Sequence, residues 1–231
     1  MFRLHRNVML GLAGVFAAAS VLAQERNLVD LQQKVVEGSS VALTKLAIYY
    51  GEEATPPDSI RAVDLLTIAA IRYSDPIAQL NLGIVYQSGV DGVDADIGRA
   101  AYWYGRASEA GNADAQMRLG ELYMRGEGTA VDRNKAVNFF TKASDNGFAP
   151  AQVELGYMYE MGEFGSVDYD IARMLYEKAA AQGEVIAQYN LAEMYELGKG
   201  VDVDKALARQ WYTAAAEQGL QEAVEALQRL E

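Results

Sequence analysis

Apolar residues in this chain fall at helical spacing, stop at glycines, and then begin again. Between residues 113 and 147, Ala115, Leu119 and Tyr123 lie four apart, so they share one face of a helix. Gly120 follows Leu119 and removes a side chain where a neighbouring helix would approach, at a cost of about 1 kcal/mol relative to alanine. Gly126 and Gly128 end this helix A by supplying left-handed backbone. Asp132 then stands where an N-cap is expected. Ala136, Phe139, Phe140 and Ala143 mark the inner face of a helix B that stops at Gly147.

The pattern returns every thirty-six residues: Asp96, Asp132, Asp168 and Asp204 keep that interval, as do Gly111, Gly147, Gly183 and Gly219. Ala78, Ala115, Ala151, Ala187 and Ala223 open successive A helices, and Gln79, Gln116, Gln152 and Gln188 follow four of them. Leu82, Leu119, Leu155, Leu191 and Leu227 form the next row, and Tyr86, Tyr123, Tyr159 and Tyr195 come four residues later. On the B helices the aromatic layer is Trp103-Tyr104, Phe139-Phe140, Leu175-Tyr176 and Trp211-Tyr212. An extra residue in the loop between Gly89 and Asp96 leaves both flanking helices in phase, as a repeat array tolerates.

Upstream the pattern weakens: Ala42, Leu46 and Tyr50 fit helix A, while Asp58, Ala62, Leu65, Leu66 and Ala69 fit helix B. The predicted organisation is a capping helix over 24–37, a degenerate repeat over 38–74, repeats over 75–111, 112–147, 148–183 and 184–219, and a capping helix over 220–231. The fold class is all-α, a stack of helix pairs.

Together, A-Q-x-x-L-G-x-x-Y-x-x-G followed by A-x-x-[WF]-[YF]-x-x-A-x-x-x-G resembles the Sel1-like repeat (SLR) family, a relative of tetratricopeptide repeats. Ala192 replaces the expected glycine and Leu175 an aromatic. The resemblance implies a right-handed α-solenoid of antiparallel helix pairs that acts as an adaptor, with A helices lining its inner surface. It also implies that a bacterial member with a leader peptide belongs to the cell envelope, where relatives serve signalling, exopolysaccharide control, flagellar motor assembly or host interaction. A cysteine-rich branch is linked with penicillin binding and β-lactam hydrolysis; this chain has no cysteine, so that activity is not carried over.

The first residues read as such a leader: Arg3 and Arg6, an apolar run from Val8 to Ala19, and Val21-Leu22-Ala23 before Gln24, predicting cleavage after Ala23 and a periplasmic or secreted product. Removing those two arginines takes the formal net charge from −12 to −14. That charge disfavours nucleic acid and anionic headgroups and favours basic or neutral protein partners, though it also serves solubility. No stable membrane insertion is expected after cleavage; a leader retained as an anchor is the alternative, disfavoured because Ser20 and Gln24 close the apolar run early. The only histidine, His5, lies in the leader, which removes Cys–His nucleophiles, Ser–His–Asp triads and the usual zinc ligands from the mature chain. No cofactor or metal is expected. Asp91, Asp94 and Asp96 lack the glycine and terminal glutamate of a calcium loop and read as a solvated loop with an N-cap.

On the related repeat geometry, groove-facing positions lie two before, two after and five after the row leucine. They hold Leu80, Ile84 and Gln87; Met117, Glu121 and Met124; Val153, Tyr157 and Glu160; and Tyr189, Glu193 and Glu196. Leu80, Met117, Val153 and Tyr189 either floor the groove or pack between neighbouring A helices, which makes Ile84, Glu121, Tyr157 and Glu193 the stronger candidates. An apolar floor edged by glutamates suits a protein or peptide with apolar anchors and flanking lysine or arginine. The chain therefore reads as a non-enzymatic envelope scaffold. A periplasmic regulatory or assembly subunit of a sensor-kinase, exopolysaccharide or flagellar-motor complex is the alternative. A cell-wall or β-lactam hydrolase, the third reading, lacks its nucleophile set.

Overall fold

The structure, a computed structural model, describes residues 27–54 and 56–230; the leader read over 1–23 lies outside them. They form two compact units that divide after Asp96.

The first unit contains α1 (residues 27–36), α2 (Ser40–Ile48), α3 (Ser59–Arg72) and α4 (Pro76–Ser88). Helix α2 runs into a π-helical turn, Tyr49–Glu53, before the chain reverses. Three caps set the helix starts: Ser39 accepts from the Ala42 N–H, Asp58 from Arg61 and Asp75 from Ile77 and Ala78. Such caps contribute about 1 kcal/mol each.

The second unit alternates B and A helices: α5 (Ile97–Glu109), α6 (Ala113–Arg125), α7 (Arg133–Asp145), α8 (Ala149–Glu160), α9 (Tyr169–Ala181), α10 (Val185–Leu197), α11 (Lys205–Glu217) and α12 (Gln221–Arg229). The aspartates at thirty-six-residue intervals are caps here: Asp132, Asp168 and Asp204 accept from the backbone N–H of Lys135, Ile171 and Leu207. The tightest pairings are α6 with α7, α8 with α9 and α10 with α11, so each A helix closes on the B helix that follows it.

Two devices hold these pairs and stack them. The first is a ring from helix B seated on a small residue of helix A. A Cβ added to Gly120 would lie 2.5 Å from Phe140, and one added to Gly156 would lie 2.6 Å from Tyr176. In the last pair Ala192 takes the glycine's place, and it and Tyr212 are both fully buried in one cluster. The second device is the buried glutamine row. Gln116, Gln152 and Gln188 donate to the carbonyls of Ser108, Ser144 and Ala180 at the end of the preceding B helix. Each also accepts from the end of the next B helix: from Asn146 at 3.0 Å, Gln182 at 3.0 Å and Gln218 at 2.9 Å. One amide thereby ties three successive helices and leaves few orphan carbonyls at helix ends.

Gly156→Ala should destabilise the chain by about 1–3 kcal/mol through overpacking against Tyr176. Gly105→Ala should stabilise it by about 0.5–1 kcal/mol, because Gly105 has helical backbone and an added Cβ meets nothing within 4 Å. Urea unfolding of both variants checks the pair of signs.

Candidate partner-binding face

In the second unit, helices α6, α8 and α10 carry most of the sequence-predicted groove residues. The positions two before the row leucine are seams. Met117, with Met124, packs against the cluster of Ala136, Phe140, Leu155, Met158 and Leu175. Val153 packs against the next cluster, and Tyr189 sits 5.4 Å, centroid to centroid, from the ring of Tyr212. One turn further on the side chains open outward: Glu121 and Glu193 are half-buried and Tyr157 is 48% exposed. Met161, four residues after Tyr157, is 50% exposed. In the first unit Ile84 and Gln87 are half-buried on α4.

The glutamates divide into two classes. Glu160, only 6% exposed, accepts from the Tyr176 hydroxyl at 2.9 Å and from the Lys199 ammonium at 2.8 Å. Lys199 also reaches Glu193 at 3.1 Å, so one cation of this chain neutralises carboxylates on α8 and α10. Burial works against the Lys199 charge, but its two carboxylates outweigh that and raise its pKa. Glu196 repeats the arrangement, accepting from the Tyr212 hydroxyl at 2.7 Å and the Arg229 guanidinium at 2.9 Å. Burial alone would raise its pKa, yet Arg229 and Tyr212 hold it below the usual carboxylate range. Burial first, and the glutamate beside each second, push both tyrosine hydroxyls up.

Glu121 and Glu154 form the other class. Glu154 on α8 is pushed up, first by burial and then by the charges of Glu121 and Glu163, with Arg125 a partial offset. Sequence reasoning singled out Glu121 but not Glu154, Lys199 or Arg229. A signal for the buried pairs was nonetheless present in the repeat rows. Where helix B carries Tyr176 and Tyr212, helix A carries Glu160 and Glu196; where it carries Tyr104, helix A carries Gln87, also able to accept from a hydroxyl; and where it carries Phe140, helix A carries Met124.

Among the described residues, no cluster of three or more His, Cys, Asp or Glu could hold a metal ion, and no helix is long and apolar enough to cross a membrane. Capped helix pairs with seated rings and a glutamine ladder define an α-solenoid repeat protein. The Sel1 repeat model matches residues 40–72, 76–112, 113–148, 149–184 and 185–220, and the chain belongs to that family. It is similar to the crystal structure of a Sel1 repeat protein from Oxalobacter formigenes, at 30% identity and TM-score 0.81, over 88% of this chain and 59% of that one. A protective antigen of uropathogenic Escherichia coli with an SLR fold matches at 26% identity and TM-score 0.50, over 87% of this chain and 50% of that one. An immunity protein from Pseudomonas aeruginosa matches at 24% identity and TM-score 0.54, over 82% and 72% of the two chains, which shows the shared fold. This chain thus spans 59% and 50% of the lengths of the first two. No curated protein matches it.

Glu160→Met and Tyr176→Phe should each destabilise the protein singly, because each breaks a buried hydrogen bond. Together they rebuild the Met124–Phe140 combination. The double-mutant cycle should show a favourable coupling of about 1–3 kcal/mol in urea unfolding.

Proposed function

We propose that this protein is a non-enzymatic scaffold of the bacterial cell envelope that holds a protein or peptide on the A-helix face of its second unit. The observation that carries this reading is the contrast between the two classes of glutamate. Lys199 and Arg229 satisfy Glu160, Glu193 and Glu196 from within, whereas Glu154 is held half-buried beside the like charges of Glu121 and Glu163. Tyr157 lies one turn from Glu154 on the same face and is about half exposed. A partner offering a lysine or arginine next to an apolar side chain would relieve the repulsion and cover the ring. Membership of a repeat family that typically acts as a non-catalytic scaffold supports the same conclusion.

Export rests on the leader read at residues 1–23. Amino-terminal sequencing of the protein from an envelope fraction should find Gln24 first, and a chain beginning at Met1 in the cytosol would remove the envelope from the proposal. A regulatory or assembly subunit of an envelope complex would use the same face and differs only in which partner is held.

A photocrosslinking residue at position 157 should form an adduct with one partner in intact cells, and the same residue at Tyr102, which is 55% exposed on α5, should not. Glu121→Gln and Glu154→Gln should each reduce the adduct severalfold while stabilising the free protein by about 0.5 kcal/mol through relief of like-charge repulsion. Equal adducts at 102 and 157, or adducts indifferent to both glutamines, would remove this face from the function.

A further inference from the structure

In the second unit, two positions close each A–B pair: the B-helix ring and the residue five after the row leucine. Tyr176 meets Glu160 and Tyr212 meets Glu196 through hydrogen bonds, and Phe140 and Met124 share one cluster. Counting the same way in the first repeat, five residues after Leu46 is Gly51, and the ring position holds Leu66. Both members of the closing pair are therefore truncated in the same repeat.

The space they leave is open. A cavity of about 220 Å³ lies wholly within the first unit, between α2 with its π-helical turn, α3 and α4. Its walls include Ala47, Ile48, Gly51, Leu66 and Ile84, with the polar groups of Glu52 and Asn81 beside them. The truncation at Gly51 is not imposed by crowding. The backbone of Gly51 is not left-handed, and an added Cβ would meet only Ala62, at an ordinary 3.5 Å. This is the reverse of Gly120 and Gly156, whose missing side chains are required by a ring already in place. The volume falls below the roughly 300–1,000 Å³ of sites for drug-sized ligands, and the walls are mainly apolar, with Glu52, Ser59, Asn81 and Ser88 as the polar lining residues. Those are the dimensions and chemistry of a single six-membered ring with a polar tip, the group that the later repeats supply from their own B helices.

The geometry points to an anchor site for one aromatic side chain, a tyrosine of a partner peptide, in the first repeat. The biological occupant rests on the scaffold reading above, but the test uses isolated rings and needs no partner, so the two can fail separately. In the ¹³C-methyl spectrum of the full chain, p-cresol and N-acetyl-tyrosinamide should shift the Ile48 and Ile84 methyl signals saturably, with Kd on the order of 1 mM, as expected for so small a ligand. N-acetyl-leucinamide should bind at least tenfold more weakly. Leu66→Phe and Gly51→Met, two independent ways of filling the space, should each raise Tm and abolish the p-cresol shifts. Absence of saturable shifts in the unmodified chain would overturn the site, as would shifts that persist in whichever filled variant remains folded. Binding of p-cresol without N-acetyl-tyrosinamide would overturn the assignment to a peptide side chain.

Discussion

The seating of one aromatic ring on one small residue is the constraint from which the rest of the second unit follows. A ring from helix B can reach helix A only where the facing side chain is absent or reduced to a methyl, as at Gly120, Gly156 and Ala192. Burying that ring removes a large apolar area from water. When the ring is tyrosine, burial also obliges the neighbouring helix to supply an acceptor, and Glu160 and Glu196 meet that demand. A buried carboxylate in turn needs a cation, which brings in Lys199 and Arg229. One packing choice thus propagates into a hydrogen bond and an ion pair, and it fixes which acidic side chains are left facing outward.

The same chain of requirements separates internally paired acidity from acidity only partly offset within the chain. An acidic rim counted from sequence alone treats Glu121, Glu160, Glu193 and Glu196 as equivalent. Three of them are internal counter-ions, and the like-charge crowding lies with Glu121 and its unheralded neighbour Glu154, which Arg125 offsets only in part. On the proposed function, a partner's cation would therefore gain more at the α6–α8 boundary than further along the face. The first repeat, by contrast, lacks both the ring and the acceptor, and what it offers instead is space.

Much of the architecture was legible from periodicity, because caps, terminating glycines and alanine–leucine rows each have a local cause that recurs. Asp132, Asp168 and Asp204 cap their helices as their spacing suggests. The glutamine row was visible but unexplained, since its three partners lie up to thirty residues away and only stacking brings them together. For the groove, counting along one helix placed Tyr157 on the open side and could not separate seam from surface at Met117, Val153 and Tyr189. That separation depends on the neighbouring repeat. Nor could residue type alone show that Glu160 is buried; the matching change from Tyr176 to Phe140 and from Glu160 to Met124 between repeats carried that information. The π-helical turn after Ile48 had no signal in the apolar pattern.

If ring seating is what holds each helix pair together, the pair without a ring should open first. Native-state hydrogen exchange on the full chain measures this directly by giving the opening free energy of each helix. Amides of α2 should exchange through openings of distinctly lower free energy than those of α8 and α9, where Tyr176 rests on Gly156. Equal or greater protection in α2 would contradict the account, because the stack would then be held by something other than the ring.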